Sequence, residues 1–383
     1  MPRLRPALLA KTSVVAAALS LLHPAFAAQA PVPMAPPGTM PAQGSLTNAT
    51  ANFAPDAPPG EWPMVTRDYA NTRFSPLDKV NTTNVAKLRS AWTFSDGVLY
   101  GHESAPLVIG DTMYIVTPYP DVAYALDLSK PGAPIKWAYK PDPSTVAIGK
   151  ACCDAVNRGA AYAKGKLVYN VLDMHTVAVD AKTGKELWRT KLGNVEDGET
   201  MTMVPLIVGN KVFVGNSGGE MGALGWLTAL DLDTGKMAWR AYNTGPDELV
   251  RIGADFKPFY SWMQGKDLGV STWPSEMWKH GGGTVWGSIS YDAETNTLLY
   301  GTSNPGPRVG AQRPGDNLWT AAIFSRDPDT GMAKWAYQFT PHDEWDYDGI
   351  NESILIDLPI DGKTRHALVH FDRNGFALSL IHI

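Results

Sequence analysis

A tryptophan returns at a nearly constant interval through the middle of this chain. Trp137, Trp188 and Trp239 are spaced 51 residues apart, and Trp335 follows after close to twice that interval. Trp92 precedes Trp137 at a slightly shorter spacing. A repeat of about 50 residues is typical of β-propellers, in which each repeat forms one four-stranded blade. This periodicity constrains the fold more strongly than any other feature of the sequence.

Each repeat has the same internal pattern. In "AVDAKTGKELW", which begins at Ala178, and "ALDLDTGKMAW", which begins at Ala229, an apolar strand leads into a turn with Asp and Gly. A second strand follows and ends in Trp. Because Asp and Gly favour tight hairpin turns, we predict an all-β chain with about five countable propeller blades. We expect the repeated tryptophans to pack between neighbouring blades.

The first 27 residues have the organisation of a secretory signal peptide. Arg3, Arg5 and Lys11 form a positive region, followed by the apolar stretch "TSVVAAALSLL" and the cleavage sequence "AFA". A membrane anchor is the alternative, but the apolar stretch is well short of the about 20 residues that a span needs. We predict export of the protein. We also predict a disordered, Pro- and Ala-rich leader over residues 28–59 and a propeller domain over residues 60–383.

The formal net charge of -5 provides no basic surface, which argues against a nucleic-acid partner.

The 2 cysteines are adjacent, at Cys152 and Cys153. Their Cα atoms are about 3.8 Å apart across a trans peptide, below the usual disulfide range of about 4.4–6.8 Å. Two interpretations stay open: a strained disulfide with a local function, or two reduced, buried thiols. The oxidising environment of an exported protein favours the disulfide.

Three further segments do not fit the repeat. Glu220 lies in the glycine-rich stretch "GNSGGEMGALG", which either approaches a ligand closely or forms a surface turn. Trp286, in "GGGTVWG", is a candidate stacking platform for a flat ligand. Asp346 and Asp348, in "PHDEWDYDG", face the same side of an extended chain and suit a hard cation; a solvated acidic loop is the alternative. The chain has only 2 cysteines, which argues against zinc.

Over residues 60–377 the sequence resembles the pyrroloquinoline-quinone (PQQ) dependent alcohol dehydrogenases, most closely the methanol dehydrogenase large subunits. The resemblance is carried, in the family's order, by "GEWPMVTRDYANTRFSPL", "YGHESAPLV", "ACCDAVNRGAAY", "GGGTVWG", "YGTSNP", "RPGDNLWTAAIFSRDPDTGMAKW", "PHDEWDYDGIN" and "DRNGFA". It implies a propeller of eight blades with PQQ near its axis. It therefore also implies that the chain is the N-terminal part of a propeller, truncated at its C-terminus.

The resemblance further implies a set of site residues. It pairs Cys152 with Cys153 in a disulfide over one face of PQQ and puts Trp286 under the other face. Arg373 matches an arginine that contacts the reactive quinone oxygens and serves both binding and catalysis. The positions that match the remaining PQQ-binding residues are Glu103, Arg158, Thr202, Ser217, Gly218, Gly219 and Thr284. The positions that match metal ligands are Glu220, Asn304 and Asp346, and Asp346 also matches the catalytic base.

Asp348 and Arg308 bear on the metal and the substrate. Asp348 matches the lanthanide-dependent branch of the family, whereas calcium-dependent members usually have a small residue there. A third carboxylate adds oxygen ligands and balances a trivalent ion, so we predict a lanthanide, with calcium as the alternative. Arg308 departs from the tryptophan that methanol dehydrogenases usually have near the substrate pocket, so the resemblance does not fix methanol as the preferred alcohol.

The function that the resemblance implies is that of a periplasmic dehydrogenase. It would oxidise a primary alcohol, methanol or a larger one, to the aldehyde by metal-assisted hydride transfer to PQQ, and pass electrons to a cytochrome c. A homodimer and a C-terminal haem domain stay open. The alternatives are a non-catalytic propeller that binds proteins and a PQQ-dependent sugar dehydrogenase. The retained site residues argue against the first, and the adjacent cysteines together with "WDYDG" favour alcohols over sugars.

Overall fold

The computed structural model describes residues 57–381, which form five antiparallel sheets. Four sheets have four strands each, in chain order, and the last has three. The prediction of an all-β propeller with about five blades is confirmed. The predicted signal peptide and most of the predicted leader lie outside the described residues. Within residues 57–381, no helix is both long enough and apolar enough to span a membrane.

The sheets are formed by strands in sequence order. The first sheet contains β1 (Leu107–Ile109), β2 (Thr112–Val116), β3 (Ala123–Asp127) and β4 (Ile135–Tyr139). The second contains β5 (Ala160–Ala163), β6 (Lys166–Val171), β7 (His175–Asp180) and β8 (Glu186–Lys191). The third contains β9 (Leu206–Val208), β10 (Lys211–Gly215), β11 (Trp226–Asp231) and β12 (Met237–Tyr242). The fourth contains β13 (Ser290–Asp292), β14 (Thr297–Gly301), β15 (Ala322–Arg326) and β16 (Ala333–Gln338), and the fifth contains β17 (Ser353–Ile360), β18 (Lys363–Phe371) and β19 (Ala377–Ile381).

Within residues 57–381, the helices are short segments outside the strands. Two of them are α-helical turns, α1 (Asp247–Val250) and α2 (Leu268–Ser271), both in the long connection from β12 to β13. The described 3-10 segments are Val85–Lys87, Thr145–Gly149, Val195–Asp197, Gly219–Met221, Ser261–Met263, Met277–His280 and Gly310–Gln312.

Three of the repeated tryptophans join one sheet to the next across the first four sheets. Trp137, in β4, donates a hydrogen bond from Nε1 to the carbonyl of Ala181 at 3.0 Å, and its ring covers Gly184 in the β7–β8 turn. A Cβ on Gly184 would lie 2.7 Å from the ring, so only glycine allows this contact. The same arrangement recurs for Trp188 with Leu232 and Gly235, and for Trp239 with Pro328 and Gly331. The predicted inter-blade packing is therefore confirmed for these three tryptophans.

The Asp of each repeat closes the turn that the tryptophan covers. Asp180 accepts hydrogen bonds from the backbone N–H and the hydroxyl of Thr183, both at 2.7 Å. Asp231 and Asp327 hold Thr234 and Thr330 in the same way. Such side-chain caps explain why the Asp-x-x-Thr-Gly pattern accompanies the tryptophan period in the sequence.

The sequence repeat and the sheets do not coincide at the two ends of the series. Trp92 lies in an irregular segment and belongs to no described strand. The fifth sheet is formed by β17–β19 instead, after the last repeated tryptophan, Trp335. Tryptophan spacing alone does not determine whether the neighbouring chain pairs into a sheet. For this reason, counting Trp92 as the end of a blade put one of the five blades at the wrong end of the series.

The first strands of successive sheets lie against one another, as β1 does with β5 and β5 with β9, so they line the centre of the propeller. The apolar cores lie between the sheets; one of them joins Val168 and Ala178 of the second sheet to Val212 and Trp226 of the third. The segment before β1 ties the central strands together. In that segment Trp62 bridges to β1, Met64 bridges to β5, and the Tyr69 hydroxyl donates to a β9 carbonyl at 3.0 Å.

Candidate functional site

The topology brings the site residues predicted from the sequence to one end of the propeller. In an antiparallel sheet read in chain order, the connection between the second and third strands and the connection to the next sheet lie at the same end. Connections of the first kind contain Ser217, Gly218, Gly219, Glu220, Asn304, Arg308 and Arg373. Those that lead into a first strand contain Glu103, Cys152, Cys153, Arg158, Thr202, Thr284, Trp286, Asp346 and Asp348.

Four of these residues form one connected polar group around Arg158. Its Nη2 lies 2.9 Å from Oε2 of Glu103, and its Nη1 donates to the Thr202 hydroxyl at 2.8 Å. That hydroxyl lies 2.8 Å from Oγ of Ser217. Burial lowers the pKa of Arg158, and the positive charge of Arg373 lowers it further, while Glu103 opposes the shift. The group is therefore a fixed, partly desolvated cation with hydroxyls beside it.

Trp286 connects this group to a second one. The ring is half-buried, with the guanidinium carbon of Arg158 4.7 Å and that of Arg373 5.6 Å from its centre. Cations at this distance are attracted by the electron-rich face of an indole. Two guanidinium groups beside one flat ring form a surface suited to a flat anion.

The second group is organised by Asp348. Its Oδ1 accepts the backbone N–H of Asn304 at 2.9 Å, and its Oδ2 accepts Nη1 of Arg373 at 2.7 Å. Arg373 also donates to the carbonyl of Asp346 at 3.3 Å. The structure thus brings Asn304, Asp346, Asp348 and Arg373 together from three separate connections.

Burial raises the pKa of Asp348 to about 7, and the negative charges of Asp346 and Glu220 raise it as well, against the effect of Arg373. Asp346 itself is half-buried and has a left-handed backbone (φ 69), which is uncommon for a residue with a side chain. The turn around it is held by Asp343, which accepts the backbone N–H groups of Trp345 and Tyr347 at 2.9 and 2.8 Å. The carboxylate of Asp348 therefore lies inside the site, and that of Asp346 lies at its edge.

The residues predicted as metal ligands are one amide and three carboxylates. Among residues 57–381, no group of three or more His, Cys, Asp or Glu side chains is arranged to hold a metal ion. The buried Oδ1 of Asn304, however, has no hydrogen-bond partner in the described chain. A buried carbonyl oxygen without a partner, on a residue bonded to the Asp348 carboxylate, is the type of donor that hard cations use. The residues present therefore fit a cation, and the ligand set of Glu220, Asn304, Asp346 and Asp348 stays a prediction.

The remaining predicted residues have local roles in the structure. Thr284 donates its N–H to the Ser303 hydroxyl at 2.8 Å and shares a second contact with it through its own hydroxyl. Gly218 has φ 108, a conformation that favours glycine, at the start of the segment that contains Glu220. Ser303 was not found from the sequence, because a serine after a strand has no distinguishing pattern.

Cys152 and Cys153 are joined to each other by a disulfide, so the alternative of two reduced, buried thiols is wrong. Both residues are exposed. The turn continues through Asp154, whose carboxylate accepts the N–H of Gly101 and that of Ala155, each at 2.7 Å. Asp154 thus links the disulfide turn to the segment before β1, a role that the sequence did not reveal. The arrangement of the disulfide opposite Trp286 stays a prediction.

Arg313 is a second residue that the sequence did not reveal. Its side chain is buried and donates to the carbonyl of Pro307 at 2.7 Å, to that of Arg308 at 3.3 Å and to that of Asp343. It also donates to Oδ1 of Asn317 at 2.8 Å. One guanidinium thus fastens the connection that contains Asn304 to the connection that contains Asp346.

The fold and these residues define a β-propeller with a cationic, carboxylate-containing site at one end of its axis. Residues 62–380 match the family described as "PQQ: Glucose/ethanol/alcohol dehydrogenase, beta-propeller domain". The chain belongs to this family. The recognition of the family from the sequence is therefore confirmed.

Three relatives illustrate the similarity. The chain is 52% identical over 341 residues to a lanthanide-dependent methanol dehydrogenase of Methylacidiphilum fumariolicum, covering 88% of this chain and 56% of the relative. It is 51% identical over 326 residues to a protein of the same name from Methylorubrum extorquens, with 85% and 54% covered. A solved structure of a europium-containing methanol dehydrogenase superposes with a TM-score of 0.83 at 53% identity, covering 84% of this chain and 56% of that one. The chain thus spans about half the length of the relatives that it matches.

Proposed function

We propose that the protein is a PQQ-dependent alcohol dehydrogenase that oxidises a primary alcohol to the aldehyde with the help of a lanthanide ion. The observation that carries the proposal is the position of Asp348, which joins Asn304 to Arg373 beside Asp346. A scaffold that only binds proteins has no need to place a second carboxylate, that of Asp346, beside the buried Asp348, since two like charges at one site are unfavourable without a cation between them. Membership of the dehydrogenase family supports the same conclusion.

The cofactor would lie between Trp286 and the disulfide of Cys152 and Cys153. Its carboxylates and carbonyls would be held by Arg158 together with Glu103, Thr202, Ser217, Gly218, Gly219 and Thr284. Arg158 already has its hydrogen-bond partners, so it is preorganised and need not be ordered on binding. When bound, PQQ would supply the hydride acceptor for the alcohol carbon, and the metal ion would supply a Lewis acid for the quinone carbonyl.

Asp346 would act as the general base. Its carboxylate is half-buried at the edge of the site, where it can accept the proton of the substrate hydroxyl. Arg373 donates to Asp348 and lies beside Trp286, so it can stabilise negative charge that develops next to both. Asp346 would thus take up the proton, and Arg373 would balance the negative charge. The turn held by Asp343 keeps Asp346 in position.

The metal would be bound by Glu220, Asn304, Asp346 and Asp348. Three carboxylates balance a trivalent ion and leave excess negative charge around a divalent one. The printed names of the relatives, lanthanide-dependent and europium-containing methanol dehydrogenases, support the same choice. We therefore propose a lanthanide, with calcium as the alternative.

The proposal extends to location and electron acceptor. The signal-peptide pattern predicted for residues 1–27 supports export to the periplasm. A relative from Methylobacterium organophilum that is 46% identical is named methanol dehydrogenase [cytochrome c] subunit 1, which supports a cytochrome c as acceptor. A homodimer stays a prediction.

The test is to load the full gene product with PQQ and either lanthanum or calcium and to follow dye-linked oxidation of primary alcohols. We expect turnover with lanthanum, little with calcium, and none without PQQ. Glucose is the comparison substrate for the sugar-dehydrogenase alternative. Turnover with calcium alone would overturn the metal assignment, and PQQ binding without any oxidation would favour the non-catalytic alternative.

A further inference from the structure

Arg308 lies at the edge of the candidate site, in the connection between β14 and β15. Its side chain is 75% exposed, and its Nη2 lies 3.9 Å from Oδ2 of Asp346. This separation is beyond hydrogen-bond distance. The other two arginines of the site, Arg158 and Arg373, each donate hydrogen bonds to neighbouring side chains. Among the described residues, the Arg308 side chain makes no hydrogen bond, so its donors are free for a ligand next to Asp346.

The position of Arg308 is fixed although its side chain is exposed. The buried Arg313 donates to the carbonyls of Pro307 and Arg308, at 2.7 and 3.3 Å, and to that of Asp343 in the facing turn. Asp343 in turn holds the backbone that carries Asp346. The guanidinium of Arg308 therefore extends from a backbone that Arg313 holds. It extends toward the carboxylate of Asp346, whose turn is held by Arg313 as well, through Asp343.

We propose that Arg308 selects primary alcohols that carry a carboxylate at the other end of a short chain. This inference rests on the function proposed above, in which Asp346 accepts the proton of the alcohol. A guanidinium presents paired donors that match the geometry of a carboxylate. A substrate with its hydroxyl at Asp346 and its carboxylate at Arg308 would use both groups at once. A cationic alcohol would be repelled, and a neutral one would gain no ion pair with the guanidinium.

The carboxylate takes no part in the reaction. The alcohol would lose a hydride from its carbon to the PQQ of the proposed function and its hydroxyl proton to Asp346, and so become an aldehyde, as a neutral alcohol would. The contact with Arg308 is the same before and during the reaction. Binding of this kind lowers KM and leaves kcat little changed.

The test compares 3-hydroxypropanoate with 3-hydroxypropanamide, which has the same shape and no charge. The full gene product is loaded with PQQ and lanthanum, and kcat/KM is measured for both compounds. We expect a preference for the carboxylate in the wild type. In Arg308→Gln the ratio should fall by about ten- to hundredfold, the effect of one charge-assisted hydrogen bond, and mostly through KM. Arg308→Lys should retain part of the preference, because it keeps the charge.

Arg365→Gln is the matched control, because Arg365 is an exposed arginine on β18; it should leave the ratio unchanged. Added salt should reduce the wild-type preference and have little effect on Arg308→Gln, since salt screens exposed charges. Equal use of both compounds by the wild type, or an unchanged ratio in Arg308→Gln, would overturn the substrate class and leave the proposed function intact. Failure of the wild type to oxidise any alcohol would overturn both.

Discussion

Arg373 and Asp348 form a direct ion pair, with Nη1 of the arginine 2.7 Å from Oδ2 of the carboxylate. The other oxygen of Asp348 accepts a backbone N–H from Asn304. Asp348 is buried and Arg373 is partly exposed, so the pair connects the interior of the site to its edge. One carboxylate thereby links a proposed metal-binding loop to a proposed catalytic arginine.

The first prediction concerns the metal preference that this carboxylate sets. Asp348→Ala should lower the affinity for lanthanum by more than about tenfold, a loss that removal of even outer-shell partners causes. The affinity for calcium should fall less, because one negative charge attracts a trivalent ion more strongly than a divalent one. Calorimetric titration with each ion measures both affinities. The control is Asp78→Ala, at an exposed carboxylate far from the site in the sequence; an unchanged lanthanum affinity in Asp348→Ala would count against a ligand role.

A second prediction concerns the packing of tryptophan on glycine between the sheets. Gly184 and Gly165 both have φ +74, but a Cβ on Gly184 would lie 2.7 Å from the Trp137 ring, whereas a Cβ on Gly165 would meet nothing within 4 Å. Gly165→Ala should therefore cost only the left-handed strain, about 1–2 kcal/mol. Gly184→Ala should cost about 1–3 kcal/mol more, because the ring must move. Urea unfolding measures both, and equal losses would show that the ring contact contributes nothing.

Much of the fold could be predicted from the sequence, because the same tryptophan contact joins each of the first four sheets to the next of them. One blade docks on the next only where three features occur together, as Trp188, the turn at Asp231 and Gly235 do. Their joint recurrence produces the repeat of about 50 residues in the sequence. Trp92 shows the limit of this reasoning. A tryptophan at a similar spacing lies in no described strand, because strand pairing depends on partners elsewhere in the chain.

The candidate site could be predicted only where its residues lie in recognisable motifs. Trp286, Asp346 and Asp348 were identified in this way, and the antiparallel topology brings them to one end. Arg313 was missed because its role consists of hydrogen bonds to carbonyls of other loops. Nothing in a single sequence separates such a buried arginine from an exposed one.

A third prediction concerns Asp121, which is buried and positions the residue before Arg158. Its Oδ1 accepts Nδ2 of Asn157 at 3.0 Å, and its Oδ2 accepts the N–H of Leu172 at 2.9 Å. Burial raises its pKa from 3.8 to about 7. Below pH 3.8 the carboxyl is protonated in both the folded and unfolded states. As the pH rises toward 7, the unfolded state releases the proton first, so stability falls by up to about 1.4 kcal/mol per pH unit.

Asp121→Asn removes this titration. The amide cannot accept from both donors, so the variant should lose a constant amount of stability, about 1–3 kcal/mol. The difference in unfolding free energy between wild type and variant should therefore change with pH between about 4 and 7 and become constant above that range. Urea unfolding of both proteins over this pH range measures the difference in unfolding free energy. The other carboxylates are present in both proteins, so their contributions cancel. A difference that does not vary with pH would show that Asp121 does not titrate in this window.

The last prediction concerns Arg313 as a positioning residue for the proposed metal site. Arg313→Lys retains the charge and loses the fork that reaches the carbonyls of Pro307 and Asp343 together. The loops with Asn304 and Asp346 should then lose their fixed spacing, and the lanthanum affinity should fall by about ten- to hundredfold, although Arg313 is not a proposed ligand. Calorimetric titration with lanthanum measures this effect.

Arg326 separates positioning from general stability. It is as buried as Arg313 and also donates to carbonyls, those of Val250 and Gly331, but it lies in β15, away from the site loops. Arg326→Lys should therefore lower the unfolding free energy without lowering lanthanum affinity. If both variants lose lanthanum affinity in proportion to their loss of stability, Arg313 only holds the fold together. A loss confined to Arg313→Lys means that the spacing of the two loops is itself part of the metal site.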